Sequence, residues 1–211
     1  MDIFKGWQDY EKRLEKNWKK TVTQEDTVVL AGDISWGVSL EEAEKDFAFL
    51  NSLPGQKLIM KGNHDFWWGT KKKSEDFFRE KGFDTLHILH NNAYKIGDTA
   101  VCGSRGWFFD GEKDKKILLR EAKRLEISIE EAKKLGGEII VFLHYPPVSV
   151  QEECTEILDV LRKYEIKKCF YGHLHSGACR NAMTGIYENI DFSLISADYL
   201  EFCPKLVRKF D

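Results

Sequence analysis

Four short apolar runs in this chain each end in a cluster of glycine, histidine or acid. Residues 27–31 lead into Gly32-Asp33, and residues 57–60 into Gly62-Asn63-His64-Asp65. Residues 138–143 lead into His144-Tyr145-Pro146-Pro147, and residues 167–171 into Gly172-His173-Leu174-His175. Short apolar runs bounded by turn residues read as strands buried on both faces of a sheet. Helical patterns lie between them. Ser39 and Glu42 have capping-box spacing, and the helix they start runs to about Leu53, where Pro54-Gly55 stops it. Thr70 can cap another helix that stops near Gly82. Further helices are predicted over 112–135, before Gly136-Gly137, and over 152–164. Trp7, Tyr10, Leu14 and Trp18 share one face of a helix predicted over 5–20.

Helices and strands in alternation, followed by strands alone, describe an α/β fold with a second, antiparallel component. Residues 84–90 and 93–103 read as paired strands, with Asn91-Asn92 as the turn between them and Gly97-Asp98 as a second turn. The alternating tail, 186–207, reads as antiparallel strands. No repeat, low-complexity stretch or Pro/Gly/Ser linker divides the 211 residues, so one domain is the simplest organisation.

Composition narrows the function classes. With 42% hydrophobic and 32% charged residues, the chain can build a core and is not of disordered type. A net charge of -3 supplies no global basic field for nucleic acid. There is no run of ~18 apolar residues to span a membrane. The first twenty residues lack the apolar centre of a secretory leader. Five cysteines, an odd number with no C-x-x-C pair, suggest reduced thiols in a cytoplasmic protein and argue against cysteine-ligated zinc. Phosphate-loop, H-E-x-x-H and G-x-S-x-G patterns are absent from the sequence.

Taken singly, each polar cluster is an ordinary strand-end turn. Taken together they are informative, because a parallel sheet brings the C-terminal ends of its strands to one edge, where ligands bind. That edge would gather one Asp, one Asn and three His, with His64 and Asp65 beside them. Imidazoles and oxygen donors without thiolate suit Mn, Fe or Zn ions.

In their order, Gly32-Asp33, Gly62-Asn63-His64-Asp65, His144 and Gly172-His173-Leu174-His175 resemble the motifs of calcineurin-like metallophosphoesterases. The likeness covers nearly the whole chain. The segments Asn63-His64-Asp65-Phe66-Trp67-Trp68 and Cys102-Gly103-Ser104-Arg105-Gly106-Trp107 resemble an uncharacterised bacterial branch. The resemblance implies a four-layer α/β/β/α sandwich of two mixed β-sheets. It also implies two divalent metal ions (Mn, Fe or Zn) and hydrolysis of phosphomonoesters or phosphodiesters by a metal-bridging hydroxide. Asp33 would bridge the ions, Asn63, His144 and His173 would complete one shell, and His175 would bind the other ion. His64 would protonate or stabilise the leaving group, with Asp65 holding its ring. The family opens with Asp-x-His at the end of its first strand, whereas the first histidine here is His64. The expectation is therefore a domain without its first strand, carrying one well-formed metal site and a second reduced to Asp33 and His175. Two readings stay open, a phosphoesterase and a catalytically impaired metal-binding module.

Arg105, in a glycine-flanked loop, could reach a substrate phosphate bidentately. Trp67 could stack on substrate or pack in the core. His87 and His90 are given no role. The expected partner is a phosphoester substrate, with no membrane and no nucleic acid.

Overall fold

The computed structural model describes residues 6–107 and 115–210. Its helices are α1 (Tyr10–Thr21), α2 (Glu44–Ser52), α3 (Lys71–Lys81), α4 (Lys115–Leu135) and α5 (Thr155–Lys163). Its strands are β1 (Thr27–Leu30), β2 (Gln56–Ile59), β3 (Leu86–Ile88), β4 (Ala93–Ile96), β5 (Thr99–Ser104), β6 (Glu138–Leu143), β7 (Lys168–Tyr171), β8 (Gly185–Tyr187) and β9 (Ile190–Leu194). One sheet has the order β1-β2-β3 and is parallel throughout. The other runs β4-β5-β6-β7-β9-β8, parallel at its centre and antiparallel at both edges.

Apolar side chains fill three layers between four layers of backbone. Trp18, Phe47, Phe77 and Phe78 from α1, α2 and α3 cover Ile59 and Ile88 on the outside of the three-stranded sheet. Leu118, Leu125, Ile129, Ile157, Leu158 and Leu161 from α4 and α5 cover Cys102, Val141, Cys169 and Tyr171 on the outside of the other. Between the sheets, Leu58, Met60 and Leu89 meet Val101, Ile140, Phe142 and Phe170. Successive strand residues face opposite sides, so Leu58 and Met60 point to the inner layer while Ile59 points out. This is the expected α/β/β/α sandwich.

Several local expectations are corrected. β3 pairs in parallel with β2, and β4 opens the other sheet, so Asn91-Asn92 is not a hairpin turn but the crossing between sheets. Asn91 has φ 56°. The Asn92 side chain accepts from the His90 N–H at 2.6 Å and donates to the Ile88 carbonyl at 3.2 Å. Those bonds turn the chain as a hairpin would, which is why the composition misleads. Gly97-Asp98 does join β4 to antiparallel β5. Ser39 and Glu42 make capping bonds, Glu42 N–H to Ser39 Oγ at 3.3 Å and Val38 N–H to Glu42 Oε2 at 3.0 Å, but they close a turn and α2 starts only at Glu44. Thr70 caps α3 through the Lys73 N–H, and Gly82 ends it at φ 69°. In the tail only β8 and β9 form, and residues 195–207 make no strand. Residues 112–114 of the helix predicted over 112–135 lie outside the described residues. No described helix is long and apolar enough to cross a membrane.

Phe142 and Phe170 stack between the sheets with centroids 5.1 Å apart. Phe142→Ala should cost about 3–5 kcal/mol in urea unfolding, the usual range for deleting a core ring. A loss below about 1 kcal/mol would show that the inner layer does not join the sheets.

Candidate metal centre

The loops after β1 and β2 meet back to back. A Cβ on Gly32 would lie 2.5 Å from the Gly62 nitrogen and 2.8 Å from His144 Nδ1, and Gly32 has φ 97°. Only glycine fits there. Asp65, 1% exposed, ties the two loops together. Its Oδ2 accepts the N–H groups of Asp33 (2.8 Å) and Gly62 (2.7 Å). Its Oδ1 accepts those of Ile34 (2.8 Å), Ser35 (3.2 Å) and the Trp67 indole (3.0 Å). Both oxygens are thus occupied, and among the described residues none of these bonds goes to His64. The expectation that Asp65 holds the His64 ring is corrected: it organises the ligand loops instead. Burial pushes the Asp65 pKa up and the Asp33 charge adds to this, while the N–H donors of Gly62, Ser35 and Ile34 pull it down.

Asp33, Asn63, His144 and His173 come together. The first two arrive from the three-stranded sheet and the histidines from the ends of β6 and β7. His144 Nδ1 lies 2.8 Å from the Ala31 carbonyl, which can only accept, so Nδ1 carries the proton and Nε2 presents a lone pair. That lone pair is 2.7 Å from Asn63 Oδ1, 3.2 Å from His173 Nδ1 and 3.7 Å from Asp33 Oδ2. His173 Nδ1 is 3.0 Å from Asn63 Oδ1. The Asn63 backbone N–H also approaches Nε2, at 3.4 Å. In the tautomer with its proton on Nε2, His173 Nδ1 is a further acceptor, and the one weak N–H of Asn63 cannot satisfy them all. A cation can, because ligands held about 2.1 Å from an ion sit roughly 3.0–3.4 Å from one another. Asp33, His144 and His173 place ligand atoms within 4.8 Å of each other.

Both rings are poised as neutral ligands. Burial, above all, lowers the His144 pKa to about 4 against the pull of Asp33, and burial lowers that of His173 too. Asp33 and His173 have left-handed backbone, φ 58° and 69°.

His175 does not join this group. Its Nδ1 lies 2.7 Å from Asp198 Oδ1, Asp198 Oδ2 accepts the Ser176 N–H at 2.8 Å, and the Trp7 ring meets its edge at 5.5 Å. Asp198 carries no motif, and nothing in the sequence singles it out. His64 is exposed, its ring 5.4 Å from Trp36 and 6.0 Å from Phe66, and its N–H donates to Asp33 Oδ1 at 2.8 Å. Trp36 and Phe66 are 45% and 59% exposed, an aromatic flank the sequence reading missed. Trp67 is 4% exposed and packs edge-on against Phe47 at 4.8 Å, so it is a core residue and not a substrate platform. The Arg105 carbonyl accepts the His144 and Tyr145 N–H groups, while its guanidinium turns to Glu121 at 3.3 Å.

The family model of calcineurin-like phosphoesterases matches residues 2–177. Among curated proteins, none matches the chain significantly. One crystal structure is similar with a TM-score of 0.60 at 15% identity, covering 90% of this chain and 86% of that one. The crystal structure of TT1561 of Thermus thermophilus is similar with a TM-score of 0.57 at 12% identity, covering 81% and 78%. At such identities the likeness is one of fold.

Asp65→Asn exchanges a carboxylate for an amide whose own N–H groups face backbone donors. It should destabilise the chain by about 2–4 kcal/mol in urea and lower metal content at the same time. Unchanged stability with lost activity would return Asp65 to a role on His64.

Proposed function

The chain belongs to the calcineurin-like phosphoesterase family, and from that premise we propose that it hydrolyses phosphomonoesters or phosphodiesters with a divalent metal ion held by Asp33, Asn63, His144 and His173. The observation that carries this reading is the convergence of lone pairs around His144 Nε2, which Ala31 fixes from behind. Bound there, an Mn, Fe or Zn ion would polarise phosphoryl oxygens and acidify water.

The chain's own groups divide the remaining work. Asp33 brings the carboxylate, and its second oxygen is anchored by the His64 N–H. His64, on the open side, would donate a proton to the ester oxygen as the P–O bond breaks, so that the product leaves as an alcohol. Trp36 and Phe66 flank that ring and can orient the leaving group by apolar contact. His175, steadied by Asp198, is the candidate second ligand beside Asp33. Two protein ligands leave most of a shell to water, so one ion should be held tightly in this chain and a second weakly. The five cysteines form no disulfide, which fits the reducing cytoplasm as the proposed location.

Assay of p-nitrophenyl phosphate and its bis ester with Mn²⁺ tests the reading. Activity should vanish with chelator, and with an alkyl ester such as butyl phosphate, whose leaving alkoxide needs a proton, His64→Ala should lower kcat by ~10²–10⁴-fold, the usual contribution of a general acid. Chelator-resistant hydrolysis, or wild-type turnover of the alkyl ester in His64→Ala, would overturn it.

A further inference from the structure

A second charged cluster lies at the same edge of the sandwich. Lys61 follows β2, His90 follows β3 and Arg105 follows β5, while α4, packed on β5, contributes Glu121 and Arg124. Glu121 is fully buried. Its Oε1 takes Arg124 Nη1 at 2.6 Å, Arg105 Nη2 at 3.3 Å and Arg120 Nε at 3.6 Å. Its Oε2 and the buried Nε of Arg105 have no hydrogen-bond partner among the described residues. Lys61 is half-buried within the fields of Arg105 and Arg124. Burial and then the charges of Arg124, Lys61 and Arg105 bring the His90 pKa to about 4.

Among the described residues, the carboxylates in this field are Glu121 and Asp65. Asp65 is enclosed by its five N–H donors, and Glu121 already serves the arginines. Among the described residues, Lys61, Arg105 and Arg124 thus outnumber the carboxylates of this partly desolvated corner, a costly arrangement unless an anion joins them. Guanidinium groups present planar pairs of donors suited to phosphate. Three contacts in series link the corner to the metal centre. The Tyr145 ring lies 4.4 Å from that of His173 and 5.5 Å from that of Trp107, which in turn lies 4.6 Å from the Arg105 guanidinium.

We propose that Lys61, Arg105 and Arg124 form a phosphate-binding subsite beside the metal centre, seating a second phosphoryl group of the substrate. The substrate class, an ester carrying two phosphates, rests on the hydrolase reading; the anion site itself does not. Free inorganic phosphate shares this chemistry, and the test separates the two.

The first arm is calorimetric titration of inorganic phosphate into the full chain after metal removal. Saturable binding at one site should survive without metal and weaken about 10–100-fold in Arg124→Gln and in Lys61→Gln, each confirmed as folded by circular dichroism. Absence of saturable binding in the wild type, or equal binding in both folded variants, would overturn the subsite. The second arm compares kcat/KM for 1,4-butanediol bisphosphate and butyl phosphate with Mn²⁺. A preference for the bisphosphate that falls in Arg124→Gln supports the substrate role. Phosphate binding without that preference would overturn the substrate role and leave a site for free phosphate. No hydrolysis of either ester would sink the hydrolase reading and, with it, the substrate role, while the first arm would still decide the anion site.

Discussion

The Asp65 carboxylate is the constraint on which the ligand geometry depends. It is buried, yet each oxygen is met by N–H donors from the loops after β1 and β2. Charge-assisted bonds of this kind are roughly twice as strong as neutral ones. They hold Asp33 in a left-handed conformation that an unsupported aspartate would leave. They also bring Gly32 and Gly62 so close that neither position has room for a side chain. The two loops therefore behave as one rigid body, and Asp33 and Asn63 are delivered as a pair.

That pair is half of a centre. The other half, His144 and His173, stands on the six-stranded sheet. The four ligands meet only because the inner layer of Leu58, Met60, Leu89, Val101, Ile140, Phe142 and Phe170 fixes one sheet against the other. The Ala31 carbonyl crosses this boundary, leaving β1 to receive the His144 Nδ1 proton. Stability and metal affinity are thus coupled: whatever loosens the inner layer spreads the ligands, and an ion bound to all four would brace the sheets together.

Much of this was legible from the order of residues. The polar clusters were expected to share the C-terminal edge of a single parallel sheet, but they follow strands of two sheets and meet because the inner layer holds those sheets face to face. Strand-end position pointed to Asp33, Asn63, His144 and His173 but equally to His175, which turns to Asp198, and the division into ligands came from the family resemblance. What stayed hidden was the direction each side chain takes after the strand ends. Asp65 and Trp67 sit in the same motif as His64, but they turn inward, and one bonds the other, which adjacency in sequence cannot reveal. Asp198 reaches His175 across 23 positions from a tail without regular structure. The crossing at Asn91-Asn92 was misread because the same side-chain bonds that close hairpins can redirect a chain between sheets. Glu121, invisible as one acid in a highly charged helix, is buried by its position over β5.

The central claim is that four side chains from two sheets enclose one metal ion. Crystals grown with Mn²⁺, with diffraction recorded at the manganese absorption edge, test it most directly. The account predicts one strong anomalous peak per chain, about 2.0–2.3 Å from Asp33 Oδ2, Asn63 Oδ1, His144 Nε2 and His173 Nδ1. A chain with no peak among these atoms, or with its strongest peak elsewhere, would contradict it.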